Sequence, residues 1–386
     1  MSPFLTIVLA GMFSRLGYQM ARSPVLPRFA QDLGAAPELL GLIVAASTVT
    51  GVFIKLPAGA LSDVLGKRRM MLLGCLFFAL PPFLYPFVTG PIALLLLRFL
   101  HGFATAIFSP VAAAYVADLA QEGRGARLGW FTSASDVGAT VGPMVGGFVL
   151  FYTASYASTY LLVGVLGLLP LLMVLRLPEP AEANPDPPAP RWPRFRQGVV
   201  EVVSSPPVVI ASSLEAVMYV GYGAFLGFLP PFARLVALND AQIALVLGAQ
   251  LATTMAAKPL TGWASDRVGR KPVILVGLLL CAALLPLIFR TGRFLPLLGL
   301  GVAAVTPCTT ALVADLVRAG RMGSAMGVFG TIWDVGESAG PILAGFLIAR
   351  RGYGASFDTI ALLMAGAALL FALVVREPGS LRPEGA

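Results

Sequence analysis

Seven ionisable side chains stand where the surrounding sequence is almost wholly apolar: Arg15, Arg98, His101, Asp136, Glu215, Asp334 and Glu337. If those surroundings are hydrocarbon, each charge costs about 2.5–3.5 kcal/mol near a helix centre, so each marks a functional candidate. A carboxylate with no cation at its level favours its neutral form in such a medium, and can therefore bind and release protons at working pH. Glu215, Asp334 and Glu337 fit that description, since the second half of the chain has no cation at their depth. Glu337 follows Asp334 by three residues on one helix face, and like charges that close resist joint ionisation, which favours a shared proton or a cationic ligand. Arg15 and Asp136 sit at matching depth and are expected to pair. Arg98, His101 and Gly102 share a face. A histidine titrates near physiological pH, although the commoner role of a lone one in a membrane is hydrogen-bonded packing. Tyr18, Gln19, Tyr219, Tyr222 and Trp333 are the candidates for lining a cavity, their aromatic faces suited to an amphipathic or cationic compound.

Other chemistries lack their residues. His101 is the one histidine in the sequence, which excludes a histidine-based metal cluster, and Cys75, Cys281 and Cys308 show no metal-ligand spacing. There is no phosphate-binding glycine loop and no nucleophile beside a base. No enzyme activity, metal or cofactor is expected.

The elements that hold these residues must live in lipid. Of 386 residues 57% are hydrophobic and 12% charged, about half the charged share of a soluble domain. Twelve apolar segments recur, at approximately 4–31, 38–62, 71–89, 91–117, 127–152, 158–176, 202–232, 241–264, 272–289, 294–316, 324–349 and 355–375. Each is long enough to cross a bilayer as a helix. Runs such as "PIALLLLRFL" do not alternate as barrel strands would. The first segment shows no small-residue cleavage site and is expected to stay as a helix. With both termini placed in the cytoplasm, sixteen Lys and Arg fall in inner loops and six on the outer side, the bias that orients membrane proteins. The net charge of +8 is thus an orientation signal rather than a nucleic-acid patch. The expected location is a bacterial-type inner (cytoplasmic) membrane.

The chain also repeats itself. At a shift of 203, Lys55, Gly59, Ser62, Asp63, Gly66 and Leu72 fall on Lys258, Gly262, Ser265, Asp266, Gly269 and Leu275. "VADLAQEGR" (116–124) matches "VADLVRAGR" (313–321), and "GWFTSASDVGATVGPMVGG" (129–147) matches "GVFGTIWDVGESAGPILAG" (327–345). The expected architecture is all-α and polytopic, with twelve transmembrane helices in two pseudo-symmetric six-helix bundles, 1–177 and 201–386. A Pro-rich cytoplasmic linker, 178–200, joins them. Parallel six-span halves are the plan of secondary transporters that bind substrate between the halves and expose it to each side in turn.

Three motifs give this plan a family. Gly59, Asp63, Gly66, Lys67 and Arg68 resemble the loop between helices 2 and 3 of the major facilitator superfamily. Gly262, Asp266, Arg267, Gly269, Arg270 and Lys271 fit that pattern fully, whereas Val64 replaces a cation in the first copy. Gly59 is expected to admit a close helix and Gly66 a tight turn. Gly129, Gly138, Gly142, Pro143, Gly146 and Gly147 resemble the helix-5 signature of the superfamily's drug/proton antiporter branch, and small residues of this kind let helices pack closely. "RFLHG" from Arg98 resembles the family's Arg-x-x-Gln-Gly pattern, with His101 in place of Gln. The resemblance implies the major facilitator fold and proton-coupled efflux of small amphipathic or cationic compounds by a monomer in the lipid bilayer. In such exporters the arginine is thought to help couple protons. A proton-linked uptake symporter for a sugar, organic acid or amino acid fits the same architecture, and Na⁺ in place of H⁺ is not excluded.

Overall fold

The computed structural model describes residues 2–119, 124–179, 204–291, 294–316 and 322–374, so most of the linker expected at 178–200 lies outside the described residues. Every element among them is helical. In order they are α1 (Pro3–Arg22), α2 (Val25–Asp32), α3 (Pro37–Leu65), α4 (Lys67–Ala79), a 3-10 segment (Pro81–Phe87), α5 (Pro91–Asp118), α6 (Arg124–Thr153) and α7 (Tyr156–Leu175). After the linker come α8 (Pro206–Leu235), α9 (Asp240–Val268), α10 (Arg270–Thr291), α11 (Leu295–Leu316) and α12 (Met322–Val374).

Local chemistry sets the ends of these helices. Ser2 caps α1 by accepting from the Leu5 amide at 3.3 Å, and Ser155 caps α7 by accepting from the Ser158 amide at 3.1 Å. Asn239 and Gln242 satisfy each other's backbone amides at 2.9 Å at the start of α9, a reciprocal cap. Gly66 ends α3 at φ 92° and Gly269 ends α9 at φ 98°. Both hold the left-handed conformation that favours glycine, at equivalent positions of the repeat.

Ten of the described helices are long and apolar enough to cross a membrane. One of them, Val328–Leu373, has twice the needed length. It breaks at Gly352 (φ 70°) and so gives two of the expected spans. The span expected at 4–31 is divided into α1 and α2 around Ser23 and Pro24, where proline cannot continue the hydrogen-bond ladder. The 3-10 segment, with Pro81, Pro82 and Pro86, likewise interrupts the third span.

Contacts group residues 1–191 with 226–248, and 192–225 with 249–386. This grouping differs from the repeat boundary, since the far end of α8 and the start of α9 join the first unit. Within that unit α1 packs on α6 and α7, and α5 on α3 and α4; within the second, α10 packs on α11 and α12. The core of the first unit is built from residues such as Ile7, Met71, Phe78, Phe108, Val111 and Tyr115.

Candidate functional site

The glycines of α6 do not act alike. A Cβ on Gly138 would stand 2.2 Å from the Met12 carbonyl oxygen, one on Gly142 2.6 Å from that of Leu16, and one on Gly146 2.6 Å from that of Met20. Helix α1 therefore lies backbone to backbone against this face, with Gln19 beside Gly142. Gly147 faces elsewhere, toward Ala244. The second unit repeats the seam: Gly336 and Gly340 of α12 would meet the carbonyl oxygens of Ala216 and Val220 on α8 at 2.2 and 2.3 Å. By contrast, no described atom comes within 4 Å of a Cβ on Gly129, Gly59 or Gly262. The close helix approach expected at Gly59 is therefore corrected: among the described residues no helix meets that position, while Gly66 takes the left-handed conformation of the expected turn. Pro143 sits inside α6 without ending it. Arg15 and Asp136 lie half-buried on the two helices of the first seam.

In the second unit Glu215 is 3% exposed. Its carboxyl group is hydrogen-bonded to the Thr309 hydroxyl of α11. That hydroxyl also lies 3.0 Å from the Val305 carbonyl and 3.1 Å from that of Thr306. It owns one proton for three acceptors. Turned to Glu215, the hydroxyl donates to a carboxylate; turned to the backbone, it accepts from a protonated Glu215. One geometry serves both states. Tyr219 and Tyr222 follow on the same face of α8, their rings 5.9 Å apart and perpendicular. Trp333 of α12 lies 4.8 Å from Tyr219, and the Tyr222 hydroxyl donates to Gln250 at 3.2 Å. Asp334 is buried beside Trp333 and Glu337 is half-buried one turn on. Thr309 and Gln250 carried no signal in the sequence, since threonine and glutamine are unexceptional in a helix.

Tyr18, expected to line a cavity, packs instead in the core of the first unit. Its ring lies edge-on to His101 at 5.2 Å and to Phe78 at 6.0 Å. The Arg98 guanidinium stands over it at 4.8 Å. His101 is fully buried, and its Nδ1 is hydrogen-bonded to the Tyr85 hydroxyl at 3.2 Å. Tyr85 stacks on Tyr160 at 3.9 Å.

The repeated loop motif forms matching ion pairs. Lys67 meets Asp118 at 2.5 Å, and Arg270 meets Asp315 at 3.3 Å; Arg270 also pairs with Asp266. Both distant acids come from the repeated "VADL" segments, so the two motifs bind each other once in each half. Arg68 donates to the Leu175 carbonyl at 2.6 Å and, through its amide, to Glu179 at 3.1 Å. Arg267 lies over the Trp263 ring at 3.9 Å. The Asp63 side chain lies outside the described residues. At the opposite end of the first unit, Arg28 pairs with Asp240 at 2.6 Å. Arg234 pairs with Asp32, which also accepts from the Tyr156 hydroxyl. In the sequence Arg28 and Arg234 are two of the six outer-side cations, and nothing in the spacing marks Asp240 or Asp32 as their partners.

The family model of the Major Facilitator Superfamily matches residues 7–234 and 212–386. An uncharacterized MFS-type transporter of Methanocaldococcus jannaschii is 33% identical over 128 residues, 33% of each chain. Multidrug resistance protein 1 of Bacillus subtilis is 30% identical over 192 residues, covering 47% of this chain and 46% of that one. Quinolone resistance protein NorA of Staphylococcus aureus is 29% identical over 155 residues, covering 40% and 39%. The aligned region thus spans between a third and a half of these relatives' length. A bacterial homolog of the human lysosomal transporter Spinster superposes with a TM-score of 0.75 at 15% identity, covering 96% of this chain and 94% of that one. The helical architecture, the doubled motifs and a family match along both halves lead to one assignment: the chain belongs to the Major Facilitator Superfamily and is a multi-pass membrane protein.

Proposed function

We propose that the protein is a proton-coupled antiporter that exports small amphipathic or cationic compounds, with Glu215 as the principal proton carrier. The observation that carries this reading is the Glu215–Thr309 contact, a buried carboxyl whose partner can serve either protonation state. Tyr219, Tyr222 and Trp333 adjoin it with aromatic surface, and Asp334 and Glu337 add acidic character on the facing helix. Two relatives named for multidrug and quinolone resistance support the export direction. In this reading a proton arriving from outside neutralises Glu215 and displaces the substrate, and its release inside resets the site. The chain works as a monomer, as two bundles of residues 1–177 and 201–386 with both termini cytoplasmic, and the motif pairs Lys67–Asp118 and Arg270–Asp315 steady the cytoplasmic end.

The test is transport of a fluorescent cationic dye by proteoliposomes under an imposed pH gradient. Glu215→Gln should abolish pH-driven dye movement while leaving dye binding within a few-fold. Thr309→Val should slow it by roughly tenfold, the loss of about one hydrogen bond to a charged group. If Glu215→Gln, Asp334→Asn and Glu337→Gln all preserve pH-driven transport, the acid assignment is wrong. A sodium gradient that drives transport at uniform pH would replace the proton as coupling ion. Inward accumulation in cells expressing the protein would replace export by uptake.

A further inference from the structure

One hydrogen bond sets the register of α9 against α8. The Tyr222 hydroxyl donates to Gln250 at 3.2 Å, and Gln250 donates to Thr254 at 3.0 Å along α9. The two helices run antiparallel across the short connection between Leu235 and Asp240. Two turns back along α8 from Tyr222 stands Glu215, and two turns on along α9 from Gln250 stands Lys258. The register therefore brings Glu215 and Lys258 to one level. Depth agrees: Glu215 is nine residues past the start of α8 at Pro206, and Lys258 ten before the end of α9 at Val268, about 14 and 15 Å. The expectation that the second half holds no cation at the depth of Glu215 is thus corrected.

Packing keeps Lys258 in place. It shares a face of α9 with Gln250 and Thr254, which are buried, so it is turned into the unit rather than toward lipid. One turn on, the Thr261 hydroxyl lies 3.1 Å from the Lys258 carbonyl oxygen and 2.7 Å from that of Ala303. This turn of α9 is therefore fixed against α11, the helix that carries Thr309. The four-carbon stem of a lysine does not span the distance from there to the end of α9. The charge of Lys258 acts on the Glu215 carboxyl.

The other helices around Glu215 bring no cation to it. Helix α11 supplies the Thr309 hydroxyl. Helix α10 meets α8 through Leu285 at Gly221. Helix α12, seamed to α8 at Ala216, carries the acids Asp334 and Glu337, and Tyr219 and Tyr222 follow on α8 itself. A carboxylate in such a place needs a positive partner, and Lys258 is the cation in this set.

We propose that Lys258 is a positioning residue, the internal counter-cation of Glu215. When Glu215 gives its proton to water on the inner side, the carboxylate that remains is partnered by the Lys258 ammonium, which stays charged throughout. A new proton or a cationic substrate then takes the carboxylate from Lys258. The inference rests on the reading of Glu215 as proton carrier, and adds what holds its charge when neither proton nor substrate does.

The experiment uses the full chain in nanodiscs and the apolar reagent dicyclohexylcarbodiimide, which modifies protonated carboxyl groups. Peptide mass spectrometry reads modification at Glu215 between about pH 5 and pH 10. In wild type, labelling should fall as the carboxyl ionises. Without the nearby cation, Lys258→Met should carry labelling to higher pH by about one unit or more. Lys258→Arg, which keeps the charge, should restore the wild-type curve, a rescue that a purely structural lysine would not require. Lys258→Gln gives the same reading if Lys258→Met fails to reach the membrane. The shift should persist in a background of Asp334→Asn with Glu337→Gln; its disappearance there would assign the effect to those acids and overturn the proposal. Coincident curves for wild type and the uncharged variants, or wild-type labelling without pH dependence, would also overturn it. Labelling needs no transport. A shifted curve without pH-driven dye movement would strike the antiport reading and leave the pairing, and dye movement with an unshifted curve would strike the pairing alone.

Discussion

Replacing Gly138 and Gly129 by alanine should have opposite effects on stability, though both belong to one motif on one helix. At Gly138 the added methyl would stand 2.2 Å from the Met12 carbonyl oxygen. Ordinary close contact between carbon and oxygen begins at about 3.3 Å, so α1 and α6 must part by roughly 1 Å. The obstacle is backbone, which cannot turn aside as a side chain does. Overpacking of this kind costs about 1–3 kcal/mol. Alanine returns about 0.8–1.0 kcal/mol of helix propensity, leaving a net loss of up to about 2 kcal/mol. At Gly129 no described atom lies within 4 Å, and only the propensity gain of about 1 kcal/mol applies. The propensity gain is common to both, so the two variants should differ by the overpacking cost of about 1–3 kcal/mol. Gly336→Ala should behave like Gly138→Ala, since its methyl would stand 2.2 Å from the Ala216 carbonyl oxygen. Melting of the purified variants in one detergent, with urea titration to rank them, reads these differences directly. If Gly129→Ala and Gly138→Ala shift the midpoint equally, the seam does not hold α1 against α6 in the way described.

Two further outcomes are expected. Arg15→Asp and Asp136→Arg should each abolish dye transport, and the double exchange should restore a measurable part of it; no recovery at normal membrane expression would remove the expected pairing. Asp32, outside the membrane spans, is exposed but loses some of its water to its neighbours, which alone would raise its pKa, yet hydrogen bonds from Arg234 and Tyr156 hold it below the usual carboxylate value. A depressed folded-state pKa contributes stability that is fully present above the unfolded value of about 3.9 and lost as pH falls through the lower folded value. The stability gap between wild type and Asp32→Asn should accordingly stay constant from pH 5 to pH 8 and shrink below about pH 4. A gap that changes across the neutral range would show that another group titrates in that cluster.

The spans and the repeat were legible because hydrocarbon imposes one simple condition on every segment, long runs without charge. The different fates of the motif glycines were also legible, although resemblance alone hides them. At about 100° per residue, Gly138, Gly142 and Gly146 cluster on one side of α6, whereas Gly129 and Gly147 lie about 180° from Gly138. The partner of His101 was not legible. Tyr85 reaches it only because the third span breaks into a 3-10 segment at Pro81–Phe87, and nothing in periodicity fixes the rotation of such a segment. The Thr309 contact with Glu215 was hidden for a similar reason, since their proximity depends on how α8 and α11 are rotated about their axes. Asp118 and Asp315 stood in view as a repeat, but the sequence did not say that the repeated acids and the repeated cations answer each other.

The doubled seam bears on which parts can travel during a transport cycle. Where two rods touch through main-chain atoms, there are no side chains to re-seat, and sliding by a fraction of a turn would drive Met12 or Ala216 oxygen into a neighbouring Cα. The rods α1 and α6 must therefore be carried as one piece, as must the seamed stretches of α8 and α12. Spin labels placed on either side of a seam would keep their spacing through turnover, leaving the visible displacement to rods that meet through longer side chains.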